Sequence, residues 1–165
     1  MPEIRTVLVP VDLHQHSEAL AEFALHTAKK LGAEQVTFLH VMQHVPDFID
    51  YKIDTLSQLE ATFRTHAESR MTDFLASIKE RFDRVDGTVI RGDTVEAILA
   101  FAEEQHVDLI IIATHGTQGI EKVLLGSVAD RVIKNASCPT LVFNPFVKER
   151  GYEVCHPLSS CIDSV

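Results

Sequence analysis

Five short apolar runs alternate with segments of helical spacing, and this alternation limits the fold more than any other feature of the sequence. The runs are Thr6–Val11, Val36–Val41, Gly87–Ile90, Asp108–Thr114 and Thr140–Phe143. Strands that are separated by helices run parallel and are joined by right-handed crossovers. The fourth run is continuously apolar, which is typical of a central strand covered on both faces. The sequence therefore predicts an α/β fold with a single doubly wound, five-stranded parallel sheet and helices on both faces, a Rossmann-like architecture.

Four helices are predicted between these strands. The first ends at Gly32, and Thr55–Phe82 has an apolar residue at every third or fourth position, which indicates one long amphipathic helix. Asp93 followed three residues later by Glu96 is the pattern of a helix cap, so a third helix begins there. The fourth helix is predicted over Val128–Ala136.

The length of 165 residues corresponds to one domain. With 45% hydrophobic and 24% charged residues, the composition is that of an ordinary globular protein. We expect residues 1–145 to form the domain and residues 146–165, which lack any periodicity, to form a C-terminal tail.

The charge balance limits the partners. Fifteen Lys and Arg against 24 Asp and Glu give a net charge of −9, which repels nucleic acid and anionic lipid. The apolar run Leu109–Ala113 is far shorter than the roughly 20 residues that cross a bilayer. The amino terminus lacks the apolar stretch of a signal peptide, and three cysteines in the last third do not form a disulfide framework. We therefore expect a cytoplasmic protein without a nucleic-acid or membrane partner.

The loop after the fourth strand is the strongest candidate for a ligand site. Ligands of open parallel sheets bind at the carboxyl ends of the strands. Here Gly116 is followed after nine residues by Gly126 and Ser127, which open a helix. Glycines admit close approach of an anion, and a helix N-terminus offers unpaired N–H donors, so the pattern suits a phosphate. On spacing alone, a plain turn from strand to helix explains the glycines as well, and the two common phosphate-loop motifs are absent.

Four segments together resemble the universal stress protein family over about residues 4–144. They are Val9–Asp12, Leu39–Val41, Ala113–Ala129 and Cys138–Val142. In the ATP-binding branch of that family the loop reads G-x-x-G, nine residues, then G-[ST]. Gly116, Gly126 and Ser127 match this pattern, whereas Ala113 stands at the first glycine. The added methyl matters little if the backbone angle of residue 113 is ordinary.

The resemblance implies a site for ATP, AMP or another adenine nucleotide, with Mg²⁺. It implies that Asp12 accepts a hydrogen bond from the adenine amino group, while main-chain groups of Pro10, Val11 and Val41 surround the base and ribose. The remaining implied site residues, from the loop around the phosphates, are Ala113, Thr114, His115, Gly116, Thr117, Gly119, Gly126, Ser127, Val128 and Ala129. Without the resemblance, the sequence predicts only that Asp12 is a helix cap or turn residue and that Val41 belongs to the core.

Histidines cluster in the loops at the same edge of the predicted sheet. His14, His16, His44 and His115 could contact phosphate or a transition metal, or simply be solvated. His40 lies inside a strand, where a partnered core histidine is expected.

No catalytic residue and no metal site is predicted. The common hydrolase and metalloprotease motifs are absent, so at most weak ATPase activity is expected. In the tail, Cys155, His156 and Cys161 lack a fourth ligand for zinc. The resemblance implies a stress-response sensor or regulator controlled by the bound nucleotide. The alternatives are a nucleotide-independent dimeric interaction module that docks on another protein and a slow hydrolase or phosphotransfer enzyme.

The resemblance also implies a homodimer, formed by pairing the last strands of two subunits, and a regulatory protein partner. Thr140–Phe143 is the predicted edge strand, and an exposed edge needs covering or pairing. Leu141 and Phe143 would be hidden in such an interface if they faced the partner subunit.

Overall fold

The computed structural model describes residues 3–14, 16–43, 53–78, 84–114 and 125–145, and within them strands and helices alternate along the chain. The elements are β1 (Thr6–Pro10), α1 (Ser17–Leu31), β2 (Gln35–Met42), α2 (Ile53–Ile78), β3 (Val85–Arg91), α3 (Thr94–Glu104), β4 (Leu109–Ala113), α4 (Ser127–Asn135) and β5 (Thr140–Phe143). The strands form one five-stranded sheet in the order β3-β2-β1-β4-β5, and every pairing is parallel. The predicted fold class is confirmed.

Two apolar layers cover the sheet, because successive side chains of a strand point to opposite faces. Val7 and Val9 of β1 pack with α1 and α2 on one face. Leu8, between them, packs with α3 and α4 on the other face. All three side chains are fully buried. The central strands therefore have no polar face, as their continuous apolar sequence predicts.

The third strand is longer than predicted. It pairs with β2 from Val36–Val85 to Met42–Arg91, whereas the sequence pattern indicated only Gly87–Ile90. Asp86 has low strand propensity, and the ladder with β2 overrides that preference. A Cβ added at Gly87 would lie 2.6 Å from Met71 Sδ, so α2 packs directly on the strand backbone at this point.

The predicted helix ends are confirmed at two positions. Gly32 ends α1 in the left-handed conformation with φ of 75°, and its N–H bonds to carbonyls of the last turn. Asp93 precedes α3, and its Oδ1 accepts from the N–H groups of Val95 at 3.0 Å and Glu96 at 3.1 Å. These bonds, chiefly that from Glu96, hold the pKa of the Asp93 carboxyl below its usual range.

Asp108 joins the amino ends of two neighbouring strands. It immediately precedes β4, and its Oδ2 accepts from the N–H groups of Arg5 and Thr6, both at 2.9 Å. The bond from Thr6, followed by that from Arg5, lowers the pKa of the Asp108 carboxyl. The carboxylate form therefore supports the β1–β4 pairing.

The edge strand β5 turns its large apolar side chains towards its own subunit. Leu141 and Phe143 pack against the layer of α1 and α2, and the Phe143 ring stacks on Phe23 with centroids 4.8 Å apart. The condition under which a dimer interface would hide Leu141 and Phe143 is therefore not met, because the pleat points both side chains at α1. Val142, on the opposite face, is 38% exposed.

None of the helices in the described ranges is long and apolar enough to cross a membrane. The tail predicted over residues 146–165 lies outside those ranges.

Candidate functional site

The predicted site residues that the structure describes lie at the carboxyl edge of the sheet. β1 lies between β2 and β4, so the turn after Pro10, the end of β2 near Val41 and the end of β4 at Ala113 are neighbours along this edge. Because strand order reverses beside β1, this is the crevice at which open α/β sheets bind ligands.

Asp12 is the polar centre of the turn after β1. Its Oδ1 accepts from the His14 N–H at 3.0 Å and from the Ser17 hydroxyl at 2.9 Å. The interpretation of Asp12 as a turn residue is thus confirmed, since both bonds fix the chain between β1 and α1. Neither bond uses Oδ2, which makes none within the described part of the chain. One carboxylate oxygen remains for an external donor.

Val11 is already engaged through both main-chain groups. Its N–H donates to Leu39 O at 2.9 Å, and its carbonyl lies 2.9 Å from His40 Nδ1. Because a carbonyl only accepts, His40 Nδ1 carries the hydrogen. The expectation that His40 is partnered is confirmed, whereas its side chain is half-buried and does not belong to the core. A ligand can use only the second lone pair of the Val11 carbonyl.

Leu13 bends the turn sharply beside Asp12. Its φ of 58° lies in the left-handed region, which is uncommon for a residue with a side chain. The Leu13 side chain is buried, and its carbonyl accepts from the Arg70 guanidinium of α2. Arg70 of α2, which lies 57 residues after Leu13 in the sequence, therefore helps to hold the strained turn.

Gly126 brings the start of α4 against the end of β4. Its N–H donates to Thr114 O at 2.7 Å, and Thr114 N–H donates to Phe143 O at 2.8 Å. A Cβ added at Gly126 would lie 2.8 Å from Thr114 O, closer than real Cβ atoms come to backbone. The φ of Gly126 is an ordinary −70°, so the glycine is required by close approach and not by backbone conformation.

The N-terminus of α4 presents donors at this edge. The N–H of Asp130 is the first bonded within the helix, to Gly126 O at 3.0 Å. The N–H groups of Ser127, Val128 and Ala129 precede it and have no intrahelical acceptor. The Ser127 side chain is exposed, whereas Ala129 is buried and offers only its main chain. Aligned N–H groups and a hydroxyl at a helix N-terminus favour a phosphate or carboxylate.

Ala113 fits its position without strain. It is the last residue of β4, pairs with Phe143, and is not among the residues of positive φ. The methyl that replaces the family glycine therefore carries no backbone cost.

Val41 and the candidate loop histidines differ in their surroundings. Val41 is half-buried and packs against the layer of α3 and α4, as a core residue does. His14 is exposed and His16 precedes α1. His44, His115, Gly116, Thr117 and Gly119 lie outside the described residues. Within residues 3–14, 16–43, 53–78, 84–114 and 125–145, no three His, Cys, Asp or Glu side chains gather in a way that could hold a metal.

Three residues that sequence reasoning did not assign to the site position its turn. Ser17 bonds Asp12, His40 bonds Val11 and Arg70 bonds Leu13. The Ser17 contact has a local signal, a serine opening a helix shortly after an aspartate. Arg70 has none, because its partner is set by how α2 crosses the sheet.

Comparisons with known proteins agree on one family. The model of the universal stress protein family matches residues 3–144. Universal stress protein MJ0531 of Methanocaldococcus jannaschii is 31% identical over 146 residues, which cover 88% of this chain and 85% of that protein. The solved structure of universal stress protein UspA from Lactobacillus plantarum has a TM-score of 0.75 at 23% identity, covering 87% of this chain and 99% of that chain. The universal stress protein from Archaeoglobus fulgidus in complex with dAMP has a TM-score of 0.58 at 20% identity, covering 86% of this chain and 98% of that chain. The two solved structures share the fold.

Proposed function

Because the chain belongs to the universal stress protein family, we propose that it binds an adenine nucleotide at the crevice beside β1 and β4. The nucleotide is ATP, AMP or a related compound, and its occupancy controls a cytoplasmic stress-response sensor or regulator. The observation that carries the proposal is the Gly126 N–H···O Thr114 bond of 2.7 Å. It holds the open N-terminus of α4 against the end of β4, next to the Asp12 turn.

The two ends of a nucleotide find complementary groups here. The N–H donors of Ser127, Val128 and Ala129, which have no acceptor within α4, suit phosphate oxygens. Asp12 Oδ2 suits the exocyclic amino group of adenine, which guanine lacks at that ring position. The Archaeoglobus fulgidus protein in complex with dAMP supports the choice of an adenine nucleotide, because it has the same fold.

Mg²⁺ fits this site only as a companion of the phosphates. Among the phosphate-side residues that the structure describes, Ser127 alone offers a side-chain oxygen that is exposed. Mg²⁺ requires six oxygen ligands and keeps several waters, so phosphate oxygens and water would complete its shell. When bound, Mg²⁺ would neutralise part of the negative charge of the phosphates.

Titration calorimetry of ATP and AMP against the Ser127→Ala variant tests this site. Removing a hydroxyl that bonds a charged phosphate costs about 1.5–3 kcal/mol, which weakens binding by roughly 10- to 100-fold. Ser137→Ala is the matched control, an exposed serine beyond the other end of α4. The parent protein should also melt higher with ATP by mass action. No heat and no Tm change at millimolar ATP would contradict the proposal and favour the nucleotide-independent interaction module.

Asp12→Ala separates base recognition from phosphate binding. It should narrow the preference for ATP over GTP while leaving phosphate contacts intact. If Asp12→Ala and Ser127→Ala both bind ATP like the parent, the nucleotide site lies elsewhere.

We further propose that the protein is a sensor and not an efficient enzyme, and that it acts through a regulatory protein partner. The sequence carries none of the common hydrolase motifs, and the described residues of the crevice are not predicted to act as a nucleophile or a general base. Phosphate release should therefore stay far below the ordinary enzyme range of about 1–10³ per second. Release within that range, lost in Ser127→Ala, would establish an ATPase instead.

The edge strand β5 supports a homodimer as the assembly. It pairs only with β4 in the sheet, and Val142 exposes 38% of its surface there. Pairing two identical edges satisfies the outer N–H and C=O groups of both subunits. Light scattering at tens of micromolar should report a dimer that Val142→Lys weakens and Leu31→Lys, another exposed apolar position, does not. A parent protein that scatters as a monomer contradicts the dimer.

A further inference from the structure

A cleft of about 860 Å³ lies between α2 and the carboxyl ends of β2 and β3. β2 contributes His40 and Met42 to its wall, and β3 contributes Val89 and Arg91. α2 belongs to the layer opposite α3 and α4, so the cleft and the N-terminus of α4 lie on different faces of the sheet. We name it the α2 cleft.

Apolar groups form much of its wall. Leu13, Met42, Phe63 and Val89 line it, and the Phe63 ring is 49% exposed. An exposed aromatic ring beside the buried Leu13 and the half-buried Met42 and Val89 favours an apolar ligand body. A volume of 860 Å³ is within the range of about 300–1,000 Å³ typical of small-molecule sites.

The charged groups of the wall are mainly cationic. Arg64, Arg70 and Arg91 outnumber the two acids that pair with them, Glu60 in the wall and Glu68 beside it, which leaves one net positive charge. The whole chain carries −9, so this sign is local to the cleft. His40 and His66 add imidazole rings to the same wall.

Bonds to neighbouring groups hold all three arginines in place, and those of Arg64 and Arg70 leave part of the guanidinium open. Arg91 is paired with Glu60 by two contacts of 2.6 Å. Arg64 uses its Nε for Glu68 at 2.8 Å, and Arg70 uses one terminal nitrogen for Leu13 O. A guanidinium has five donors, so Arg64 and Arg70 keep a planar fork for an anion.

We propose that the α2 cleft binds a small organic anion in which a carboxylate or phosphate monoester is joined to an apolar body. The anionic head lies between Arg64 and Arg70, and the body lies against Phe63 and Met42. The cleft and the nucleotide crevice open on different faces of the sheet, so the two ligands occupy different sites, although Leu13, His40 and Arg70 connect the cleft wall to the Asp12 turn.

Titration calorimetry with octanoate and with octyl phosphate tests the α2 cleft, and comparing the two identifies the preferred head group. 1-Octanol, which lacks the charge, and acetate, which lacks the body, should each bind at least about tenfold more weakly. Arg64→Gln should weaken octanoate or octyl phosphate by about tenfold, while Arg84→Gln, an exposed arginine at the amino end of β3, should leave them unchanged. Phe63→Ser should weaken binding of both amphiphiles because it removes the aromatic ring from the apolar wall. Leu31→Ser, at another exposed apolar position, is the control and should leave binding unchanged.

Three results would overturn the inference. The first is that neither amphiphile gives heat at millimolar concentration. The second is that 1-octanol binds as tightly as octanoate and octyl phosphate. The third is that ATP displaces the bound amphiphile. Binding of the amphiphile by a protein that shows no heat with ATP sustains the α2 cleft while removing the nucleotide site, so the two proposals fail separately.

Discussion

At the scale of single residues, the absence of a side chain at Gly126 allows α4 to begin close to the end of β4. Gly126→Ala would place Cβ 2.8 Å from Thr114 O, so we predict a loss of about 1–3 kcal/mol in the free energy of unfolding. Gly92 also precedes a helix, but its added Cβ would meet only Ala97 Cβ at 3.5 Å. Gly92→Ala should therefore be neutral or stabilising by up to about 1 kcal/mol. Urea unfolding compares the two variants, and equal stabilities would refute the close approach at Gly126.

The Asp12 turn rests on a buried hydroxyl. Ser17 is 4% exposed and donates to Asp12 Oδ1 at 2.9 Å. Ser17→Ala should lower stability by about 1 kcal/mol and reduce the preference for ATP over GTP, since Asp12 loses its orientation. Ser77→Ala, whose exposed hydroxyl bonds within α2, is the control. An unchanged nucleotide preference together with lower stability would limit Ser17 to a structural role.

At the scale of elements, two side chains of α2 pack directly on the backbone of β3 at Gly87. A Cβ there would lie 2.6 Å from Met71 Sδ and 2.7 Å from Leu75 Cδ1. Gly87→Ala should cost about 1–3 kcal/mol in the parent protein. Because Met71→Ala removes the nearest obstacle, the cost in that background should fall by about 0.5 kcal/mol or more. Strictly additive unfolding energies in this double-mutant cycle would show that α2 does not pack on β3 as described.

At the scale of the whole molecule, two aspartates make stability depend on acid pH. The carboxyl pKa values of Asp93 and Asp108 are lowered in the folded protein by backbone N–H bonds. The stabilisation is therefore complete above the unfolded value of about 4 and is lost as pH falls through the lower folded values. Thermal melts from pH 7 to pH 2 should show a shallower acid decline for Asp108→Ala than for the parent. Parallel curves would contradict this linkage.

The sequence by itself determined the order of the elements and most of their limits. Apolar runs of strand length, the αL glycine at position 32 and the cap at Asp93 are local signals, because the groups that satisfy them lie within a few residues. The same locality let the turn role of Asp12 be predicted, since His14 and Ser17 are its neighbours in sequence. It also explains why β5 could be located from the sequence, whereas the packing of Phe143 on α1 could not.

Only the tertiary structure decided which distant groups meet. The full length of β3 depends on its pairing with β2, and the burial of Phe143 depends on the position of Phe23 in α1. The bond from Arg70 to Leu13 and the arginines of the α2 cleft depend on where α2 crosses the sheet. Such contacts are fixed by packing between elements far apart in the chain, and no local pattern encodes the distance between them.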